Sequence, residues 1–412
     1  MVITRASASP AVASRAWLGV GLAMAAVGWG ANQFAPLIVM YQDRLGLTTA
    51  VVDAMFGLYA LGLVPALLAG GRLSDRIGRR AVVMPALLVS FLATGLLMAG
   101  GHQLLLLCAG RLLAGAASGL AFGTGAAWIK ELSADAGDPA AGPRRATIAM
   151  TAGFAAGPLA AGVCAQWLPS PEVTAYLPHL AVLIAAAVPA WRTPDPGRLE
   201  AGSADAHETS RVTDPGPQPA RPRHFLRVML PFAPWVFGTA AIALAYLPAL
   251  AAPRAGHREL LFSALATGLT ALAGIAAQPL ARTTRRLPPG RTLPASMVLV
   301  LAGLGCAAWA AQTLSLPLVF LASAVLGVAY GITQFAGLAE VQRIADPRSL
   351  GIATASYQVL SYVGFAFPFL ISLAGAYWRL SPPTLLLILL GVAAAAAAWL
   401  VITTARTTRG RY

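Results

Sequence analysis

Residues 70–80 read GGRLSDRIGRR, with four arginines, one aspartate and three glycines between two long apolar runs. The flanking runs, about 50–70 and 81–100, each match the roughly 20 apolar residues that a helix needs to cross a bilayer. Charge this dense between two such runs belongs at a membrane surface, where it stays hydrated. Gly71 is expected to allow close helix approach, and Gly78 to supply a backbone conformation that side chains resist. Asp75, among Arg76, Arg79 and Arg80, can be held ionised by them.

Working outward, the same pattern covers the chain. Twelve apolar stretches stand out, at about 17–40, 50–70, 81–100, 104–130, 146–168, 174–191, 225–250, 258–280, 293–312, 315–340, 351–377 and 383–404. Of the 412 residues, 58% are hydrophobic and 11% charged, against about 25% charged in a soluble domain. The runs are continuous and do not alternate, which excludes a strand barrel. The first run is too long for the core of a signal peptide and reads as the first transmembrane helix. Cys108, Cys164 and Cys306 all lie inside apolar runs, so neither a disulfide framework nor a metal site is expected.

The net charge of +14 does not point to nucleic acid, because the basic residues sit in short loops between spans. With both termini placed in the cytoplasm, 24 of the 29 Lys and Arg fall on that side and 4 on the other, with Arg111 inside a span. That bias predicts cytoplasmic termini. Arginine outnumbers lysine, with Lys130 the single lysine, and together with the alanine content this suggests a GC-rich bacterial source. For a chain with this many apolar spans the expected location is then the bacterial inner membrane, as a multi-pass protein.

Residues 192–224 hold six prolines among scattered polar residues and read as a flexible cytoplasmic linker. They divide the chain into an N-terminal six-helix bundle (1–191) and a C-terminal one (225–412). The halves echo each other. GLAFG at 119–123 in the fourth span is matched by GVAYG at 327–331 in the tenth, and the charged loop after span two by ARTTRRL at 281–287 after span eight. The second loop lacks the aspartate and the tight-turn glycine. The expected fold is therefore all-α and membrane-integral, with twelve transmembrane helices in two pseudo-symmetric bundles.

GGRLSDRIGRR resembles the signature loop of the major facilitator superfamily, G-x-L-x-D-R-x-G-R-R/K, at Gly71, Leu73, Asp75, Arg76, Gly78, Arg79 and Arg80. In the fourth span Arg111, Gly115 and Gly119 resemble the superfamily's R-x3-G-x3-G pattern. In the fifth, Gly153, Gly157, Pro158 and Gly162 resemble the G-x3-G-P-x2-G-G motif of the drug:proton antiporter branch, with Ala161 in place of one glycine. The resemblance implies that the loop latches the cytoplasmic side, Asp75 engaging the arginines and the start of span eleven near 349–351, with Glu131 joining the network. It implies alternating access and, from the fifth-span motif, export of a drug-like compound or secondary metabolite by a monomer coupled to protons, with no other cofactor. Uptake of a nutrient or sugar-like solute is the alternative. A membrane sensor or enzyme reusing the fold is a remote one, since no paired acids, histidine cluster or nucleophile–base pair occurs in the spans.

Polar residues within spans mark a candidate cavity for a small-molecule substrate: Trp29, Asn32, Gln33, Gln166, Trp235, Tyr246, Tyr330, Gln334, Tyr357 and Gln358. Arg111, about 10 Å deep at 1.5 Å per residue, either snorkels to the outer surface or faces that cavity, and the resemblance makes it a coupling candidate, implicated in proton movement or substrate charge. Asp53, in the first turn of span two, either answers the helix dipole or carries the coupled proton. His102, His179 and His257 are placed at outer-face ends, and His207 and His224 in the linker.

Overall fold

The computed structural model describes residues 15–138, 141–195, 222–277, 279–280, 290–345 and 350–409. Among these the secondary structure is helical, and eleven helices are long and apolar enough to span a membrane. One of them, His224–Ala276, covers 53 residues, about 80 Å at 1.5 Å per residue, far beyond the roughly 30 Å hydrocarbon core. Its backbone leaves the helical conformation at Gly256 (φ 55°, ψ −129°), within the tight turn Ala252–Arg258. It therefore makes two passes, and the twelve expected spans are present.

In chain order these are α1 (Trp17–Leu45), α2 (Thr49–Ile77), α3 (Arg80–His102), α4 (Leu104–Asp135), α5 (Ala141–Trp167), α6 (Pro171–Arg192), α7 (224–251), α8 (Glu259–Ala276), α9 (Thr292–Thr313), α10 (Leu316–Ile344), α11 (Leu350–Trp378) and α12 (Pro382–Thr403). Most of the linker (196–221) and the second charged loop (281–289) lie outside the described residues. Below, the loop end is the end of the bundle that carries Gly70–Arg80, and the far end is its opposite.

Helix packing follows the glycines. A Cβ on Gly115 would stand 1.9 Å from the Tyr59 carbonyl oxygen, and one on Gly119 2.4 Å from that of Leu63, so α4 and α2 touch backbone to backbone. The second half repeats the device: Gly327 and Gly331 on α10 face the carbonyl oxygens of Thr270 and Gly274 on α8, each at 2.3 Å from the added Cβ. The weak echo between GLAFG and GVAYG is thus a shared contact at its first glycine, Gly119 and Gly327 each facing a carbonyl, whereas Gly123, unlike Gly331, meets only Leu67 Cδ1 at 3.2 Å.

Three spans are irregular next to a proline. α1 tightens to a 3-10 turn at Ala35–Leu37, α11 does so at Val363–Ala366 just before Pro368, and α7 loosens to a π turn at Ile242–Tyr246 just before Pro248. Proline has no N–H for the carbonyl four residues back. For Pro248 that carbonyl belongs to Leu244, and the Thr267 hydroxyl on α8 donates to it at 3.1 Å. The irregular turns of α1 and α11 pack across the boundary between the halves, α1 on α8 and α11 on α2.

Candidate functional site

At the loop end α2 stops at Gly78, whose φ of 95° is strained for any side chain and whose N–H closes on the Ser74 carbonyl at 3.1 Å. That turn delivers Arg79 to the centre of a charge cluster. Its guanidinium pairs with Asp75, donates to Ser74 Oγ at 2.7 Å, and reaches Glu131 on α4 at 2.8 Å from Nη2 and 3.2 Å from Nε. Asp75 is 68% exposed, and its ion pair lies within its own half. The expected contact with the start of α11 falls partly on residues 346–349, outside the described residues. Arg76 is exposed.

Gly71 departs from expectation. A Cβ there meets nothing within 4 Å, whereas one on Gly70 would touch Leu120 Cα at 3.2 Å. The close-approach glycine is the first of the pair, because helix geometry turns Gly70 and not Gly71 toward α4.

Sequence reading missed Asp195. Its carboxylate accepts the backbone N–H groups of Arg79 (3.2 Å) and Arg80 (3.0 Å), capping α3 from a distant part of the chain. Arg80 donates to the Thr193 carbonyl at 2.5 Å, and Trp128 Nε1 to that of Pro194 at 2.7 Å. The only sequence signal was an acid just after α6, inside what reads as linker. Asp195→Ala should lower the thermal midpoint by the loss of a cap, about 1 kcal/mol, whereas Asp195→Asn, which keeps an acceptor, loses less. Unfolding monitored by intrinsic fluorescence in detergent checks both.

Arg111 neither snorkels nor faces a cavity. It is 1% exposed, between α1, α2 and α4. Its guanidinium donates to the carbonyls of Ala31 (3.1 Å), Phe56 (3.2 Å) and Met55 (3.4 Å), and lies 4.9–5.6 Å from the ring centroids of Phe34, Tyr59 and Phe56. Among the described residues no carboxylate pairs with it. It is a buried cation held by carbonyl dipoles and aromatic faces.

This aromatic box continues into the other half. Phe365, in the irregular turn of α11, lies 5.7 Å from Phe56 and 5.8 Å from Tyr59, and stacks on Phe237 of α7 at 5.2 Å. Phe237 in turn stacks on Tyr362 at 4.4 Å and leans on Tyr330 at 5.4 Å. The rings form a plug across the boundary between the halves. Apart from Tyr330 its members were not singled out by sequence, because aromatics in apolar spans carry no local mark.

Beyond the plug, the far end is closed. Ser372 on α11 donates to Asp53 on α2, which is 2% exposed. Gln166 bridges α5 to α8, donating to the His257 carbonyl at 2.6 Å and accepting from Leu261 N at 3.2 Å. Gly162 seats α8 directly, its added Cβ 2.2 Å from that of Ala264. Gly153 and Gly157 seat α1 instead, against the carbonyls of Ala25 and Trp29, and Pro158 is buried with them. The helix bearing the antiporter-like motif is therefore clasped on both sides, by its own half and by the other.

Several cavity candidates lie elsewhere. Gln33 is buried inside the first bundle, donating to Thr94 (3.3 Å) and bonded to His179 Nδ1 (3.0 Å). His179 is also fully buried, not at an outer-face end, with Nε2 on the Ala26 carbonyl at 3.0 Å. Gln166 is a bridge, Trp235 packs on Phe367, and Tyr246 is buried in the π turn of α7. Asn32 is half-buried. Tyr357 is buried with its hydroxyl 3.4 Å from Gln334 Oε1. Trp29 and Gln358 are half-buried, and Trp29 Nε1 and Gln358 Oε1 are buried polar atoms without a partner among the described residues. Each lies one to two turns on the loop side of the plug. Among the described residues no group of three or more His, Cys, Asp or Glu could hold a metal ion.

The comparisons agree with this architecture. No curated protein matches the chain in sequence. Its fold is similar to the POT family transporter PepTSo (TM-score 0.76, 12% identity, covering 97% of this chain and 99% of that one). It is also similar to a peptide transporter POT (0.72, 13%, 96% and 95%) and to a variant of the nucleoside transporter NupG (0.70, 12%, 94% and 99%). At such identities the likeness is one of fold. The model of the Major Facilitator Superfamily matches residues 18–369, and the chain, a multi-pass secondary transporter, belongs to that superfamily.

Proposed function

We propose that the protein exports a small organic solute across the bacterial inner membrane by alternating access, coupled to protons through Asp53, with the loop end cytoplasmic. The observation that carries this reading is the asymmetry of contact between the halves. The far end is sealed by Asp53–Ser372, Gln166–His257 and Gly162–Ala264, while at the loop end Asp75 is exposed and Gly71 meets nothing. This is a state open toward the loops.

Asp53 bonds across the boundary at the sealed end, so closure hides it and opening wets it. A proton carrier needs that alternation. The solute is bound on the loop side of the plug, where Trp29 Nε1 and Gln358 Oε1 offer a donor and an acceptor from opposite halves. Buried polar atoms without partners are rare in native folds, and a cargo that supplies both bonds accounts for them. Drug-like compounds and secondary metabolites carry such groups on an apolar body. The transporter acts as a monomer.

The test is solute flux into inverted membrane vesicles with and without an imposed pH gradient. Wild type should accumulate solute only with the gradient. Asp53→Asn should lose accumulation yet retain solute exchange. Accumulation in Asp53→Asn equal to wild type removes Asp53 from coupling, and a deletion strain that takes up less solute supports an uptake porter instead.

A further inference from the structure

A groove of about 360 Å³ opens on the first half near the loop end, between α1, α4 and α5. Met24, Phe122, Ala126, Ala146 and Met150 line it, with Lys130 at its loop-end margin. Its size falls in the range of about 300–1,000 Å³ typical of small-molecule sites. The walls are almost wholly apolar. The one other polar side chain lining it, Thr147, spends its hydroxyl on the Pro143 carbonyl at 2.9 Å.

Among the described residues Lys130 is the one cation that lines this groove; Arg72, Arg76 and Arg144 at this end are likewise exposed and unpartnered but stand outside it. Arg79 is committed to Asp75 and Glu131, Arg80 to the Thr193 carbonyl, and Arg145 to Ser133 and Asp138. The Lys130 ammonium is exposed and has no partner among the described residues, and the neighbouring Glu131 is taken by Arg79. Its position is fixed at the backbone, since Gly142 at the start of α5 packs against Lys130 Cα, with 2.8 Å to the added Cβ. One turn further along α1 and α5 stand Trp29, with its unpartnered indole N–H, and Phe154, whose ring meets Phe122 at 5.5 Å. An apolar trough with a free cation at one end and a free donor beyond the other suits a molecule with an apolar body and one anionic head.

We propose that this groove is an entry subsite for amphipathic carboxylates, the head bound by Lys130 and the body lying between Met24, Phe122 and Met150. The proposal rests on the reading that solute enters from the loop end, but its test is binding and not transport, so the two can fail separately. The occupant's carboxylate replaces water at Lys130 with a charge-assisted bond, and its body covers apolar surface.

The experiment titrates 2-naphthoate, 2-naphthylmethanol and 2-naphthylmethylammonium onto the full-length protein in phosphatidylcholine nanodiscs, with empty discs subtracted. Naphthoate should bind more tightly than the other two. Loss of one charge-assisted bond in Lys130→Gln should weaken naphthoate about tenfold or more, while Lys130→Arg stays close to wild type. Ala126→Trp, which fills the groove, should remove binding with Lys130 intact. If that variant does not fold, the Lys130 pair decides alone. Naphthoate that fails to bind, binds no better than the alcohol, or is unaffected by Lys130→Gln overturns the proposal. Naphthoate binding as expected in a protein that shows no gradient-driven flux overturns the export reading and leaves the subsite standing.

Discussion

Replacing Arg111 by methionine should leave the protein folded, with a thermal midpoint equal to or above wild type, and should reduce transport to background. A fully buried guanidinium carries a desolvation cost of several kcal/mol, and here it is offset by three carbonyls and three aromatic faces without a carboxylate. Two of those carbonyls, from Met55 and Phe56, lie inside α2, where the helix supplies them with a second partner, so removing the cation does not strand them. Methionine fills similar space without that cost. The expected loss of transport follows from its place, since the box it occupies touches Phe365 of the other half through Phe56 and Tyr59. Arg111→Lys keeps the charge but not the planar fork that reaches three oxygens, and should transport poorly. Thermal unfolding in detergent and flux in vesicles give the two readouts. An Arg111→Met variant that unfolds well below wild type makes the arginine a structural staple.

The second large effect separates two glycines that the motifs mark equally. Gly115→Ala drives a methyl to within 1.9 Å of the Tyr59 carbonyl, and neither helix backbone can yield without parting α2 from α4 and opening the Arg111 box. Overpacking of this kind costs about 1–3 kcal/mol where side chains can move, and more where backbone must. Little folded protein should be recovered. Gly71→Ala meets nothing within 4 Å and sits inside α2, where alanine is favoured over glycine by about 1 kcal/mol. It should be at least as stable as wild type. Any loss of transport in that variant then reports on closure at the loop end, where the two halves must meet in the other half of the cycle. Yield after size-exclusion chromatography and unfolding midpoints decide between the two expectations.

The span count and the pseudo-repeat were legible because hydrophobic length and small-residue spacing are local properties of sequence. The Gly78 turn was legible for the same reason, a charged break between spans leaving few backbone solutions. What escaped was set by rotation and by distance along the chain. Gly70 and Gly71 are adjacent, and only the helical phase decides which faces α4. Gln33 and His179 look like any polar residues in a span until α1, α3 and α6 enclose them together. Asp195 acts on the start of α3 from more than a hundred residues away. The plug around Phe365 draws rings from α2, α7, α10 and α11, an arrangement that no single segment encodes. Asp53 stands out in the sequence as an acid early in span two, but its partner Ser372 lies in the other half, 319 residues on.

That the halves close at one end as they open at the other, pivoting about this plug, is tested most directly by double electron–electron resonance on two spin-label pairs in a variant lacking Cys108, Cys164 and Cys306. One pair, at Gln103 and Tyr377, spans the far end, and the other, at Ala134 and Gln342, spans the loop end, with all four positions exposed. As conditions shift from alkaline to acidic in lipid nanodiscs, the two distance distributions should change in opposite directions, one lengthening as the other shortens, and Asp53→Asn should abolish the dependence. Two distances that change together, or that stay fixed in a transporter shown to be active, contradict the account.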